Sequence, residues 1–286
     1  MFSQAVVATD LSPSSDTIVG CASTLGSLGV KHVVLVHVID LDRAPSPADD
    51  ALFAGQVASL EASGIAVSVE TPLGFAPHAI IGMAAEHGAG LIVMGTRGQG
   101  LFHVGFSGSV SSDVIRLSPV PVLLAPQTDS GTMESGGERC GRALASVLVP
   151  VDLSRTSERC LALTQRLAPA HPRRITLVYV IESTFEALRG GAEQQARARL
   201  EEMAGHVRSA GVADVRAEVL RGTPDAVIAG AVSSGAYSLV VLAPRCLETI
   251  DQQFGSVSNA VLQNSTIPIL VAPPGSATHD HPRGNT

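Results

Sequence analysis

The sequence is one unit written twice, and that duplication constrains the fold more than any other feature. The segment AVVATDLSPSSD, from Ala5, matches SVLVPVDLSRTSE, from Ser146, placing Asp10 on Asp152, Leu11 on Leu153 and Ser12 on Ser154. The same offset, without a gap, carries VVLVHVID (Val33–Asp40) onto ITLVYVIE (Ile175–Glu182). GFAPHAII (Gly74–Ile81) then matches GTPDAVI (Gly222–Ile228) with one residue dropped, and LIVMGTRG (Leu91–Gly98) matches LVVLAPRC (Leu239–Cys246). GSVSSDVIRLSPVPVLLAP (Gly108–Pro126) finally matches GSVSNAVLQNSTIPILVAP (Gly255–Pro273). Agreement at both ends and in the middle points to a duplicated domain rather than a short solenoid repeat. The expected units are residues 1–126 and 144–274. Between them QTDSGTMESGGERCGRA (127–143) is Gly/Ser-rich without apolar periodicity and reads as a flexible linker. The tail at 275–286 reads as disordered.

Within each copy, short β-branched runs alternate with helical patterns. In copy one, strands are expected at Ala5–Thr9, His32–Val38, Ile65–Glu70, Leu91–Gly95 and Val120–Ala125. Helices are expected at Ser14–Leu28, Ala48–Ser63, Pro77–His87 and Gly108–Leu117. In copy two the clearest helix is EQQARARLEEMAGHVRSAG, where Leu200, Met203 and Val207 recur at helical spacing. Continuous apolar strands alternating with helices define a parallel sheet covered on both faces, and right-handed crossovers make it open and doubly wound. The expected fold class is therefore α/β, with two tandem parallel-sheet domains of Rossmann-like type.

Composition removes several functions. Of 19 basic residues only Lys31 is a lysine, so the chain has neither the lysine of a Walker A loop nor that of a kinase strand. A net charge of −7 with no basic run argues against nucleic-acid and membrane-surface partners. Cys21, Cys140, Cys160 and Cys246 lie far apart without a CxxC, which fits reduced cysteines better than a disulfide framework or a zinc site. The N-terminus lacks a signal-peptide pattern, and stretches such as Val33–Ile39 are too short to cross a bilayer. The expected location is cytoplasmic. His279 and His281 form an H-D-H in the tail, but two histidines on a floppy end are solvated far more often than metal-bound, so no metal site is expected.

In an open parallel sheet, ligands bind beyond the carboxyl ends of the strands, where the strand order switches. After the fourth strand of copy one come Met94, Gly95, Thr96, Arg97 and Gly98, then nine residues, then Gly108, Ser109, Val110 and Ser111 at a helix start. Two glycines let the backbone approach a ligand closely. A helix N-terminus attracts anions, two serine hydroxyls add donors, and Arg97 adds one positive charge. A polyphosphate can be held this way without lysine.

Gly95-x2-Gly98-x9-Gly108-Ser109 resembles the ATP-binding motif of universal stress proteins, G-x2-G-x9-G-[S/T]. The resemblance extends through Asp10-Leu11-Ser12, Gly74–Pro77 and the last strand, and covers both copies. It implies a strand order of 3-2-1-4-5 with ATP, alone or with Mg2+, across the ends of strands one and four. It assigns Asp10 and the backbone of Val38 to the adenine and ribose end. It assigns Met94, Gly95, Arg97, Gly98, Gly108, Ser109, Val110 and Ser111 to the ribose and phosphates. It also implies pairing through the fifth strand, inside the chain between its halves, and a homodimer beyond that.

Copy two departs from this pattern. Ala243, Pro244 and Cys246 replace Gly95, Thr96 and Gly98, and the spacer is one residue shorter. Pro244 removes an N–H, and neither Ala nor Cys takes φ > 0 freely, so copy two is expected to bind nucleotide weakly or not at all. Each feature also has a plain structural role. Asp10 suits a helix cap. Asp40 and Glu182 suit solvent, His37 a packed core position, and His103 an exposed loop. Cys21 and Cys160 read as small core residues, and a redox role for Cys246 has no resolving cysteine nearby. No catalytic triad or carboxylate pair emerges, so any ATPase is weak. Three functions compete: a nucleotide-dependent stress-survival regulator, a nucleotide-free dimerisation protein, and a slow ATPase.

Overall fold

The structure is a computed structural model that describes residues 2–12, 15–39, 47–95, 109–125, 140–182, 191–244 and 254–273. The linker segment 127–139 and the tail, with His279 and His281, lie outside them, as do Asp40, His103 and Cys246. Copy one runs β1 (Gln4–Ala8), α1 (Ser15–Ser23), β2 (His32–Val36), α2 (Pro47–Ala62), β3 (Ala66–Glu70) and α3 (Ala76–Glu86). It closes with β4 (Leu91–Gly95), α4 (Ser109–Leu117) and β5 (Val122–Ala125). Copy two repeats the order as β6 (Val147–Pro150), α5 (Arg155–Arg166), β7 (Ile175–Ile181), α6 (Ala192–Ser209) and β8 (Val215–Arg221). α7 (Pro224–Ser233), β9 (Leu239–Leu242), α8 (Ser256–Asn264) and β10 (Ile269–Val271) complete it.

All ten strands join one sheet in the order β3-β2-β1-β4-β5-β10-β9-β6-β7-β8. Each half shows the 3-2-1-4-5 order, and pairing within each half is parallel. At the centre β5 and β10 run antiparallel, with Leu124 opposite Ile269 and Val122 opposite Val271. Both strands consist of buried apolar residues, so each would expose them and a row of backbone groups without the other. Period-two alternation divides the strand side chains between two cores. Ala5, Val7, Val33, Leu35, Val93 and Leu123 enter one, and Val6, Val34, Ile92 and Leu124 the other. Each core draws residues from both copies.

Three local differences from the sequence expectations have physical causes. The first helix of copy one ends at Ser23 and tightens into a 3-10 turn over Thr24–Leu28. Gly26 and the left-handed Gly29 (φ 83°) stop it, and the Val30 N–H donates back to the Leu25 carbonyl at 3.1 Å. β2 ends at Val36, so His37 and Val38 are half-buried beyond the strand rather than inside it. Cys21 is a buried residue, as expected, but it is disulfide-bonded to Cys140 across 119 residues. Sequence spacing could not reveal this pair, because the fold brings the two Cα atoms to 4.9 Å. Cys140 opens a turn in which the Ala143 N–H donates to its carbonyl at 2.9 Å.

Candidate functional site at the carboxyl ends of β1 and β4

β1 leaves the sheet through Thr9, whose N–H donates to the Val36 carbonyl at 2.9 Å. The chain then turns sharply on Asp10. Its Oδ1 accepts from the Ser12 N–H at 3.0 Å and from the Ser15 hydroxyl at 2.6 Å. Leu11 between them is left-handed (φ 58°) and buried, with its N–H on Thr9 Oγ1 at 3.1 Å. A leucine there is strained by about 1–3 kcal/mol, and the Asp10 bonds hold it in place.

Copy two builds the same turn. Leu153 also has φ 58°, and Asp152 Oδ1 accepts from the Ser154 N–H at 2.9 Å and the Ser157 hydroxyl at 2.7 Å. Ser154 in turn caps α5, its Oγ accepting from the Thr156 N–H at 3.1 Å. Asp10 and Asp152 therefore organise the strand-to-helix turn, and Ser15 and Ser157 are the partners missed from sequence. Their signal was legible: the pattern is D-L-S-x-x-S in both copies.

Beside this turn stands His37, half-buried just beyond β2 rather than packed in the core. Its Nδ1 lies 3.0 Å from the Thr9 carbonyl, and its ring meets Phe53 edge-on at 6.2 Å. Position past the strand end, not strand alternation, decides its environment. Val38 follows, half-buried against the second core.

On the neighbouring strand the register Val7 opposite Val93 brings Thr9 level with Gly95. Met94 is buried and Gly95 half-buried at the end of β4. α4 begins at Ser109, followed by half-buried Val110 and buried Ser111. Asp10, Val38, Met94 and Gly95 therefore meet at one end of the sheet, at the switch in strand order, and α4 is the crossover helix that follows β4. Arg97, Gly98 and Gly108 lie outside the described residues. The backbone amides at the start of α4 suit an anion, and the Asp10 carboxylate suits hydroxyl groups.

In copy two the corresponding strand end is tied down from within. Arg159 donates to the Pro244 carbonyl at 3.2 Å and to the Pro273 carbonyl at 3.1 Å, spanning the ends of β9 and β10. Its counterpart in copy one is Thr17. Cys160, the next residue, is fully buried, and that burial pushes its thiol up to about 12. A cavity of about 230 Å³ lies between α5 and α6, lined by Leu153, Glu158, Arg199 and Met203 among others. Among the described residues no group of three His, Cys, Asp or Glu is placed to hold a metal ion. Among them, too, no helix is long and apolar enough to cross a membrane.

Two α/β halves, each switching strand order between its first and fourth strands above an Asp–Leu–Ser turn, make a tandem, doubly wound parallel-sheet architecture. The family model of universal stress proteins matches residues 1–126 and again 145–273, and the chain belongs to that family. A universal stress protein of Synechocystis is 48% identical over 63 residues, a stretch spanning 22% of this chain and 40% of that relative. A universal stress protein structure from Archaeoglobus fulgidus superposes with a TM-score of 0.72 at 21% identity, covering 96% of this chain and all (100%) of its own. A second, from Pseudomonas aeruginosa, gives a TM-score of 0.64 at 15% identity over 96% of this chain and 94% of its own. Both share the fold across the two halves.

Proposed function

We propose that this chain is a nucleotide-dependent regulator of stress survival in which copy one holds ATP and copy two does not. The carrying observation is a chemical asymmetry on a symmetric fold. Both halves keep the Asp–Leu–Ser turn, but at the end of the fourth strand copy one has Gly95 where copy two has Ala243, followed by Pro244 clamped by Arg159. Asp10 and the Val38 backbone take the adenine and ribose. Met94, Gly95, Arg97, Gly98, Gly108, Ser109, Val110 and Ser111 wrap the ribose and phosphates, with Mg2+ on the phosphates where it is present. The halves pair through their fifth strands, two chains associate as a homodimer, and the protein works in the cytoplasm.

Isothermal titration with ATP tests this directly. One site per chain is expected, lost in the Gly98→Ala/Gly108→Ala double variant. Binding at two sites, or full binding in that variant, overturns the assignment to copy one.

A second reading, a nucleotide-free interaction protein, is favoured by one observation. The Asp–Leu–Ser turn is equally well formed in copy two, so the turn is not specific to a nucleotide site. No adenine nucleotide released on denaturation, and no ATP-induced rise in melting temperature, would establish that reading. ATP turnover abolished by Asp10→Ala would instead establish a slow ATPase.

A further inference from the structure

We propose that Cys21 and Cys140 form a thiol–disulfide modification site, closed by small-molecule disulfides, that latches the lead-in of copy two onto the first helix of copy one. Cys21 lies on α1 and is fully buried, and Cys140 opens the turn that feeds β6. They are 119 residues apart in sequence and bonded, with Cα atoms 4.9 Å apart.

The bond sits in the seam between the halves. On the same side the 3-10 turn at Thr24–Leu28 touches the 3-10 turn at Ala168–Ala170, and the Arg166 guanidinium lies 4.6 Å from the centre of the Phe2 ring. β5 and β10 join the halves by hydrogen bonds; the disulfide joins them covalently at a second point. One isolated pair does not make a disulfide-stapled scaffold. Disulfides in reducing compartments are usually transient and catalytic or redox-sensing.

Closure is a two-step exchange. Cys140, the more exposed of the bonded pair at 6% against 0% for Cys21, is assigned as the first nucleophile, as its thiolate. It attacks one sulfur of an external disulfide, forming a mixed disulfide and releasing one small thiolate. The Cys21 thiolate then attacks the Cys140 sulfur, closing the bond and releasing the second. The two cysteine thiols are oxidised by two electrons and shed two protons, and the external disulfide is reduced to two thiols. Cys160 is the internal control. It is free and buried, with its Sγ on the Val241 carbonyl at 3.9 Å.

The test uses the full chain, reduced and then equilibrated with graded ratios of oxidised to reduced glutathione. Free thiols are trapped with a maleimide and located by peptide mass spectrometry. Expected is loss of two thiols with one linked peptide pair, Cys21 with Cys140, while Cys160 labels only after denaturation. The oxidised chain melts several degrees above the reduced one, and Cys140→Ser melts like the reduced chain whatever the ratio. Both thiols remaining free under excess oxidised glutathione, pairing with another cysteine, or equal melting temperatures for oxidised and reduced chain would overturn the proposal. Cys140→Ser alters the more exposed partner, so the test stands even where substitution of Cys21 prevents folding.

Discussion

Leu11 and Leu153 each hold a left-handed backbone that leucine ordinarily avoids, and the same Asp and Ser contacts hold both. Their surroundings differ: Leu11 is buried at 5% exposure and Leu153 is only half-buried. Glycine at either position relieves about 1–2 kcal/mol of backbone strain. Removing a fully buried leucine side chain costs about 2–5 kcal/mol. Leu11→Gly is therefore expected to destabilise the protein by about 1–3 kcal/mol, and Leu153→Gly to be near neutral. Urea denaturation of both variants checks this; equal losses would show that burial does not separate the two turns. The aspartate of this turn was visible in the repeated D-L-S, but its geometry was not. A left-handed leucine contradicts local preference, and only the closed set of hydrogen bonds around it makes the conformation tenable.

At the scale of elements, α6 is fastened to the exposed edge strand β8 by charge. Glu193 in the first turn of α6 pairs with Arg197 at 2.8 Å and with Arg221 at the end of β8. Hydrogen bonds from those two arginines hold the Glu193 carboxyl below the usual glutamate value. A lowered folded-state pKa means that the contribution is present above the unfolded value of 4.5 and disappears as pH falls through the folded one. Glu193→Gln is thus expected to flatten the loss of stability on acidification below pH 4.5, with little change at neutral pH. Melting temperatures from pH 7 to pH 3 check it, and parallel curves for variant and parent would refute it. β8 also carries Arg216 and Glu218, charges that discourage edge-to-edge pairing. The third helices illustrate the opposite case, where local chemistry alone sufficed. Gly222 has φ 140°, and a Cβ there would stand 2.8 Å from Val227, so the Gly-x-Pro start of α7 admits little else.

The whole molecule depends on the seam. Because each core spans both copies, a fault in one half should be felt in the other. Leu124→Asp puts a carboxylate on β5 opposite Ile269, where the leucine is fully buried. Burying an unpaired charge costs several kcal/mol unless the site opens. Both tyrosines, Tyr179 and Tyr237, lie in copy two, so tyrosine signals report on the half that was not mutated. The tyrosine-detected melting temperature is expected to fall by several degrees, and an unchanged value would show the halves to be energetically independent.

Repetition, alternating apolar runs and glycine placement were enough to determine from sequence the α/β class, the two copies, the 3-2-1-4-5 order through the family resemblance, and the chemical disparity at Gly95 and Ala243. These are properties of local pattern, and local pattern survives in one dimension. The continuous ten-stranded sheet, the Cys21–Cys140 bond, His37 against the Thr9 carbonyl and Arg159 across two strand ends were decided only by the tertiary structure. Each of these joins residues between 28 and 149 positions apart. Contacts at such separations leave no periodic trace in the chain, because the distances between their atoms are set by how the layers pack.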